Sequence, residues 1–293
     1  ARALGAALAE AFRGLGGLSG RSGLSDGGPA SWTHEPPNAI AYVPLLPDGP
    51  SSPSPPEQPI AASTLELARV MARALEPLWR HTSVNAATEW TMEANPSSIT
   101  REKMRAYRGY GVNRVSMGVQ AMRDDLLLKL GRVHSRDRAL KSLDAIFASG
   151  MTNVSVDLLC GVPGQSVADV ESAMKELTRF PITHLSCYLL TLPKTHKMYK
   201  ELPNEEGQLE HLLAIDAYMR SLSFEHYEIS NFAKPGFRAQ HNLAYWKRQG
   251  YLGLGPSAHS FDPASNSRWK NFSSLHRYAE TLQKGILPTE WTE

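Results

Sequence analysis

The chain has 293 residues, 42% of them hydrophobic, with 31 basic and 29 acidic residues. This length and composition fit a globular protein of one large domain or roughly one and a half, and the near-neutral charge argues against nucleic acid or an anionic membrane as the main partner. No apolar run approaches the ~18 residues of a membrane-spanning helix, so the sequence predicts a soluble protein without a transmembrane segment. The two cysteines, Cys160 and Cys187, are too few for a disulfide framework or a four-cysteine metal site.

The N-terminal part of the chain has little regular pattern. Residues 1–12 are alanine-rich and predict a helix, whereas residues 14–28 hold seven glycines and residues 44–59 hold seven prolines. These residue types disfavour helices and central strands. We therefore interpret residues 1–62 as a leading helix and a Gly/Pro-rich insertion, partly disordered, with at most one strand in "NAIAYVPLL".

Regular structure is predicted from residue 63 onward. Ser63 and Glu66 have capping-box spacing at the start of an amphipathic helix. Strands are then predicted at 88–95, 113–120, 153–161 and 184–190, and helices at about 100–109, 136–149 and 167–179. We expect Gly150 to end the second of these helices and Ser166 to cap the third. Strands and helices that alternate at this spacing predict right-handed βαβ units and a parallel sheet.

Each predicted strand has one apolar face and one small or polar face. In the second strand, Val115, Met117 and Val119 alternate with Ser116 and Gly118, as expected for a side-chain period of two. A sheet that helices cover on both sides should be apolar on both faces. The pattern therefore favours a closed or partly closed barrel with helices outside and a polar cavity inside.

Three polar side chains fall at equivalent strand ends. Glu93, Gln120 and Asp157 lie toward the carboxyl ends of the first three predicted strands. Reactive groups in such folds gather at these ends. Taken singly, Asp157 could accept backbone hydrogen bonds from the next turn, and Glu93 and Gln120 could cap a turn and a helix. Their coincidence at one end of the sheet favours a site.

Several phrases in order resemble a known family. They are "EANPSSITREKMRAYRGYGVNRVSMGVQAMRDDLLLKLGRVHS", "VSVDLLCGVPGQS", "YEISNFAKPGFRAQHNLAYWKRQGYLGLGPSAHSF" and "RWKN". Together they are similar to the HemW branch of the radical SAM enzymes, relatives of oxygen-independent coproporphyrinogen III oxidase. The resemblance implies an α/β fold, with a partial (β/α) barrel over residues 63–200 and a small C-terminal α+β domain over residues 201–293.

The resemblance also implies a cofactor site. In this family S-adenosylmethionine (SAM) lies across the strand ends on the open iron of a [4Fe–4S] cluster. By motif, Glu93 resembles the contact to the methionyl amino group, and Gln120, Arg132 and Asp157 resemble further contacts to SAM. These groups complement the ammonium, carboxylate and ribose hydroxyls of SAM, and Gly161 would let the backbone approach the cofactor.

The sequence departs from the family pattern at the cluster. The family holds its cluster with three cysteines in CxxxCxxC spacing, and neither this motif nor the following "GGGTP" segment is present in the 293 residues. A three-thiolate site needs three thiols, so we interpret Cys160 and Cys187 as small packing residues. Two explanations stay open: the chain is a fragment or processed form whose cluster segment lies before Ala1, or it is a degenerate member that does not cleave SAM.

The phrase "QHNLAYW" carries a second hypothesis. His241, Asn242, Tyr245 and Trp246 resemble the HNxxYW signature of HemW proteins, and an imidazole beside aromatic rings suits a haem iron ligand and porphyrin stacking. The alternative is that His241 bonds a loop while the aromatic residues pack.

Two functions follow from the resemblance. The favoured one is haem binding and transfer to haem-acceptor proteins, in the cytoplasm or mitochondrion and without a nucleic-acid partner. The alternative is an oxygen-independent coproporphyrinogen III oxidase, in which a 5′-deoxyadenosyl radical abstracts hydrogen from porphyrinogen propionates during oxidative decarboxylation. No catalytic residue is assigned.

Overall fold

The computed structural model describes residues 88–293 and the two-residue strand β1, Val43–Pro44. Within them, one compact unit contains Glu89–Ala239 together with β1, and a second contains Gln240–Glu293. The helices predicted at residues 1–12 and from Ser63, and most of the Gly/Pro-rich insertion, lie outside the described residues. The domain boundaries predicted at 62/63 and 200/201 stay predictions.

The first unit is built on a seven-stranded mixed sheet. Its strand order is β1-β2-β3-β4-β5-β7-β6; β1 to β5 are parallel, β7 is antiparallel to β5, and β6 is antiparallel to β7. The remaining strands are β2 Thr91–Ala94, β3 Arg114–Gln120, β4 Asn153–Cys160, β5 His184–Leu189, β6 Glu225–Glu228 and β7 Asn231–Ala233.

Helices connect these strands. They are α1 Arg101–Gly109, α2 Asp124–Lys129, α3 Arg136–Ala148, α4 Val167–Leu177 and α5 Glu205–Ser221. The sequence predicted the positions of α1, α3 and α4. The capping box at Ser166 is formed, because its side chain accepts from the Asp169 N–H while the Asp169 carboxylate accepts from the Ser166 N–H. Gly150 has φ 87, so it ends α3 in the left-handed conformation that glycine adopts without strain.

The predicted apolar face of the sheet forms the core. Val115, Met117, Val119, Val154 and Val156 are all 0% exposed. Side chains from α1, α3, α4 and α5 complete this cluster; the most buried are Met104, Leu143, Ile146, Met174, Leu177, Ile215 and Met219. Since the helices cover this face, the polar side chains of β2 to β5 lie on the opposite, inner face.

The second unit is a small α+β structure, as the resemblance implied. Its antiparallel sheet has the order β10-β9-β8. The strands are β8 His259–Asp262, β9 Ser267–Asn271 and β10 Thr289–Thr292, and the helices are α6 Gln240–Trp246 and α7 Leu275–Gln283. Across the described residues of both units, no helix is both long and apolar enough to cross a membrane.

Candidate functional site

Strand register brings the predicted polar residues together on the inner face. Glu93 pairs with Ser116, Ser116 with Ser155, and Ser155 with His184. These four residues therefore form one row across β2 to β5, since directly paired residues point to the same face. The next row toward the carboxyl ends contains Gly118, Asp157 and Ser186.

Serine hydroxyls surround the carboxylate of Asp157. The Ser116 hydroxyl lies 3.0 Å from Oδ1 and 3.2 Å from Oδ2, and the Ser155 hydroxyl lies 3.5 Å from Oδ1. Burial raises the pKa of Asp157 to about 6, although hydrogen bonds from Ser186 and Ser116 act in the opposite direction. Within the described residues, the hydrogen bonds to this carboxylate come from hydroxyl groups, and the alternative that it anchors the backbone of the next turn is not supported.

Gln120 has a strained backbone at the end of β3. Its φ is 67, the ladder with β4 shifts register between Gly118 and Gln120, and the Ala121 N–H donates to the Val119 carbonyl at 2.9 Å. Such a γ-turn is rare for a residue other than glycine and costs of order 1–3 kcal/mol. His134 Nε2 lies 3.1 Å from the same Val119 oxygen, and this contact helps to hold the turn.

The turn lays the Gln120 side chain over Gly118. A Cβ atom at position 118 would lie 2.7 Å from Gln120 Nε2 and 3.9 Å from Asn95 Oδ1. Gln120 is also not the cap of the next helix, because the N-cap of α2 is Arg123. The strained residue therefore presents its carboxamide at the strand end, and a side chain at position 118 would displace this carboxamide.

The two other predicted SAM contacts have different positions. Arg132 lies in the α2–α3 connection, where its N–H donates to Leu127 O at 2.9 Å; in the part of the chain that the structure describes, its guanidinium makes no hydrogen bond or ion pair with Glu93, Gln120 or Asp157. Gly161 follows β4 with φ 72. The structure thus brings Glu93, Gln120 and Asp157 to one edge, and Arg132 makes no hydrogen bond or ion pair with these three side chains among the described residues.

The prediction from sequence missed the contacts of a buried histidine. His184 is 1% exposed; its Nδ1 lies 2.8 Å from Ser155 Oγ and its Nε2 lies 2.8 Å from Tyr227 Oη. Burial lowers its pKa well below the usual value, and the Arg114 charge adds to this effect, so the imidazole is neutral. One signal in the sequence could have predicted the position of His184: it is two residues before Ser186 in the same strand, so both side chains lie on the same face. No local signal identifies Tyr227.

Two buried polar groups on the inner side of the sheet have unused hydrogen-bonding capacity. Arg114 and Asn231 are each 5% exposed, and Arg114 Nε and Asn231 Oδ1 have no hydrogen-bond partner. Arg114 Nη1 makes one long contact, 3.4 Å, to Thr91 Oγ1. A buried donor and a buried acceptor of this kind call for a polar ligand or water, so the chemistry of this face fits a polar cofactor such as SAM.

The iron–sulfur cluster does not fit the described residues. Cys160 and Cys187 are buried free thiols in the apolar core, and Cys160 Sγ lies 3.4 Å from Tyr188 O. The contact with Cys160, together with burial, raises the pKa of the Cys187 thiol. No group of three His, Cys, Asp or Glu side chains suited to a metal ion occurs in the described ranges, and the two cysteines pack as predicted.

In the second unit, two of the predicted haem residues, His241 and Tyr245, belong to an aromatic cluster. The His241 and Tyr245 ring centroids are 4.7 Å apart, those of Tyr245 and Tyr251 are 4.7 Å apart, and those of Tyr251 and Phe261 are 6.2 Å apart. The first two pairs meet edge to face, and the third is tilted. Two guanidinium groups lie over the Phe261 ring, those of Arg268 at 5.3 Å and Arg248 at 5.8 Å. We name these six residues the aromatic cluster.

The signature also provides accessible rings and a buried donor. Trp246 is 54% exposed and Tyr245 is 45% exposed, so both rings are accessible at the surface of the second unit. Asn242 Nδ2 is buried and has no hydrogen-bond partner. An imidazole, accessible rings and an unsatisfied donor are groups that suit a haem with polar substituents.

Comparisons with known proteins agree with this fold. Residues 59–177 match the model of the Radical SAM superfamily. The chain is similar in fold to a solved radical SAM enzyme, coproporphyrinogen III oxidase HemN from Escherichia coli, with a TM-score of 0.63 and 21% identity over 77% of this chain and 55% of that one.

Curated relatives identify the branch. The chain is 35% identical over 207 residues to the protein named heme chaperone HemW of Bacillus subtilis, covering 68% of this chain and 54% of the relative. The HemW of Lactococcus lactis is 29% identical over 79% of this chain and 60% of its own length. A Mus musculus protein named radical S-adenosyl methionine domain-containing protein 1, mitochondrial, is 36% identical over 64% of this chain and 44% of its own length.

These findings define what the chain is similar to. It carries a radical SAM domain, and over the matched residues it is HemW-like. The chain spans about half the length of the curated relatives that it matches.

Proposed function

We propose that the chain binds haem through its C-terminal unit and delivers it to acceptor proteins, and that it holds SAM at the strand ends of the larger unit. The observation that carries the haem proposal is the aromatic cluster that contains His241, within a segment that has the HNxxYW signature. We also infer a mitochondrial or cytoplasmic location, since one relative is named mitochondrial.

The chemistry of the second unit supports haem as its ligand. The imidazole of a histidine such as His241 is a common axial ligand of haem iron. The exposed rings of Tyr245 and Trp246 offer apolar area to a porphyrin face. Arg248 and Arg268 supply planar cations that suit the carboxylates of haem propionates.

The inner face of the first unit supports SAM as its ligand. Glu93 and Asp157 offer carboxylates to an ammonium group and to ribose hydroxyls, and Gln120 offers an amide donor and acceptor. Residues 59–177 match the Radical SAM superfamily. The cofactor in the name of that superfamily, SAM, has an ammonium group and ribose hydroxyls. When SAM is bound it supplies a sulfonium centre, and this chain's residues bind and orient the molecule.

Oxidative decarboxylation of a porphyrinogen is the second candidate that the sequence raised. It requires a reducing cluster, and the described residues do not hold one. Haem binding needs only groups that the second unit contains, so we favour transfer of haem over oxidation of its precursor.

A titration with haemin tests the haem proposal. We expect haemin to give a shifted Soret band with the full chain, and we expect His241→Ala to lose the shift and to bind at least tenfold more weakly, about 1.4 kcal/mol, because the axial ligand is gone. The measurement is absorbance at increasing haemin concentration.

His276→Ala is the matched control, since this side chain lies in the same unit and is 87% exposed. It should bind haemin as the unchanged chain does. An identical Soret shift in the chain and in His241→Ala would remove His241 as the ligand.

A further inference from the structure

A chain of hydrogen-bonded side chains crosses the sheet from Asp157 to the last residues of the first unit. Ser155 Oγ lies 3.5 Å from Asp157 Oδ1 and 2.8 Å from His184 Nδ1. His184 Nε2 lies 2.8 Å from Tyr227 Oη, which accepts the Ala239 N–H at 3.3 Å. Ser155 and His184 are 0% and 1% exposed. We name these contacts the Asp157–Tyr227 relay.

The donors and acceptors along the relay must follow one of two orders, because His184 is neutral. A neutral imidazole carries one N–H and one lone pair, so its two nitrogens have opposite roles. If Nδ1 carries the hydrogen, it donates to Ser155, and the Ser155 hydroxyl can donate to Asp157. If Nε2 carries the hydrogen, the Ser155 hydroxyl must donate to Nδ1, and it no longer donates to the carboxylate.

Ionised Asp157 favours the first arrangement. A carboxylate accepts charge-assisted hydrogen bonds, so it attracts the Ser155 hydroxyl hydrogen. In this arrangement Tyr227 donates its hydroxyl hydrogen to His184 Nε2, and each hydrogen along the relay points toward the carboxylate. Hydrogen bonds that are aligned in this way strengthen one another in a buried setting.

We propose that His184 and Tyr227 are positioning residues, which turn the Ser155 hydroxyl toward Asp157 and stabilise it as the carboxylate that a ligand at the strand ends requires. The relay rests on the proposed function only in naming SAM as that ligand. Other groups also act on Asp157: Glu93 opposes its ionisation and Arg114 favours it, while Ser186 and Ser116 donate to it.

Nuclear magnetic resonance of the full chain, labelled with ¹⁵N in histidine and ¹³C in the aspartate carboxyl group, tests the relay without any ligand. At pH 8 we expect the ¹⁵N chemical shifts of His184 to be those of the Nδ1–H tautomer. We expect these shifts to change when the pH is lowered and Asp157 becomes protonated. The Nε2–H tautomer at pH 8 would overturn the proposal.

Tyr227→Phe tests the far end of the relay. In the proposed arrangement Tyr227 donates to His184 Nε2, so loss of its hydroxyl removes the donor that favours the Nδ1–H tautomer. The substitution should raise the Nε2–H population, turn the Ser155 hydroxyl toward Nδ1 and raise the Asp157 pKa by roughly 0.5 unit. Tyr218→Phe is the matched control, because its hydroxyl bonds Thr178 Oγ1 at 3.0 Å outside the relay. Equal spectra for the chain and for Tyr227→Phe, or equal shifts in both variants, would contradict the role of Tyr227.

Binding of SAM separates the two proposals. If SAM binds the carboxylate form, Tyr227→Phe should move the midpoint of the pH dependence of SAM binding upward by the same amount and leave the affinity at pH 8 unchanged. A structural defect would instead weaken binding at every pH. If the spectra show the Nδ1–H tautomer and SAM does not bind, the relay is supported and the proposal that SAM is the ligand is contradicted.

Discussion

Asp157 makes the stability of the first unit depend on pH. Its pKa is about 6 in the folded chain, against an ordinary value of 3.8, because burial disfavours the charged form. The stability that the protonated group contributes is present in full below 3.8 and is lost as the pH rises through about 6. Ionised Asp157 thus opposes folding at neutral pH, a cost that fits a residue kept for binding.

The substitution Asp157→Asn should therefore stabilise the chain. We expect the free energy of unfolding at pH 8 to rise by up to about 3 kcal/mol, since the difference of about 2 pKa units corresponds to about 1.4 kcal/mol each. The gain should shrink toward pH 5. Urea denaturation at both pH values measures it, and the exposed Asp144→Asn is the control. An equal gain at both pH values would contradict the assigned cause.

At the end of β3, two residues together determine where the Gln120 carboxamide lies. Gly118 and Gln120 act together, because the glycine leaves the space that the Gln120 carboxamide fills. We expect Gly118→Ala to displace this carboxamide and to weaken SAM binding about tenfold, the effect of one lost hydrogen bond to a charged ligand. Isothermal titration calorimetry at pH 8 measures the affinity.

Gly109→Ala is the matched glycine control for this substitution. It lies at the end of α1, and an added Cβ there meets no atom within 4 Å. It should bind SAM as the unchanged chain does. Unaltered affinity in Gly118→Ala would show that the Gln120 carboxamide does not contact the ligand.

The elements of the first unit were predictable where their causes are local. The period of two in β3 and β4 gave the correct core face, and the capping box at Ser166 gave the correct start of α4. The γ-turn at Gln120 was not predictable, because a distant side chain, His134, helps to hold it. Tyr227 was not predictable either, because β6 joins the sheet through antiparallel pairing that is remote in sequence.

The candidate site was predictable in part for the same reason. Strand ends placed Glu93, Gln120 and Asp157 at one edge, since parity and chain order decide that position. The partners of Asp157 depend on which residues stand opposite each other, and strand register is set by the whole sheet. The contacts of His184 with Ser155 and Tyr227 could therefore not be predicted from the sequence.

At the scale of the whole chain, the two cysteines limit what these 293 residues can do with iron. Both thiols lie in the apolar core, and a three-thiolate cluster site needs a third. Anaerobic addition of iron and sulfide to the 293-residue chain should therefore give no cluster absorbance in the visible range and no 5′-deoxyadenosine from SAM. Absorption spectra and chromatography of the SAM products measure both.

A double variant, Cys160→Ser with Cys187→Ser, provides the background for this experiment. Iron and sulfide should give the same spectrum with the variant as with the unchanged chain. A visible band that is present in the chain and missing from the variant would show that these thiols do bind a cluster.

The close approach of Gly118 and Gln120 also constrains how the sequence can change over time. A side chain at position 118 would displace the Gln120 carboxamide from its place above β3, because the distance from its Cβ atom to Gln120 Nε2 would be 2.7 Å. A substitution at position 118 should then be tolerated mainly after position 120 has lost its long side chain. Among descendants of this chain, the two positions should vary as a pair, and the order of the two changes should matter.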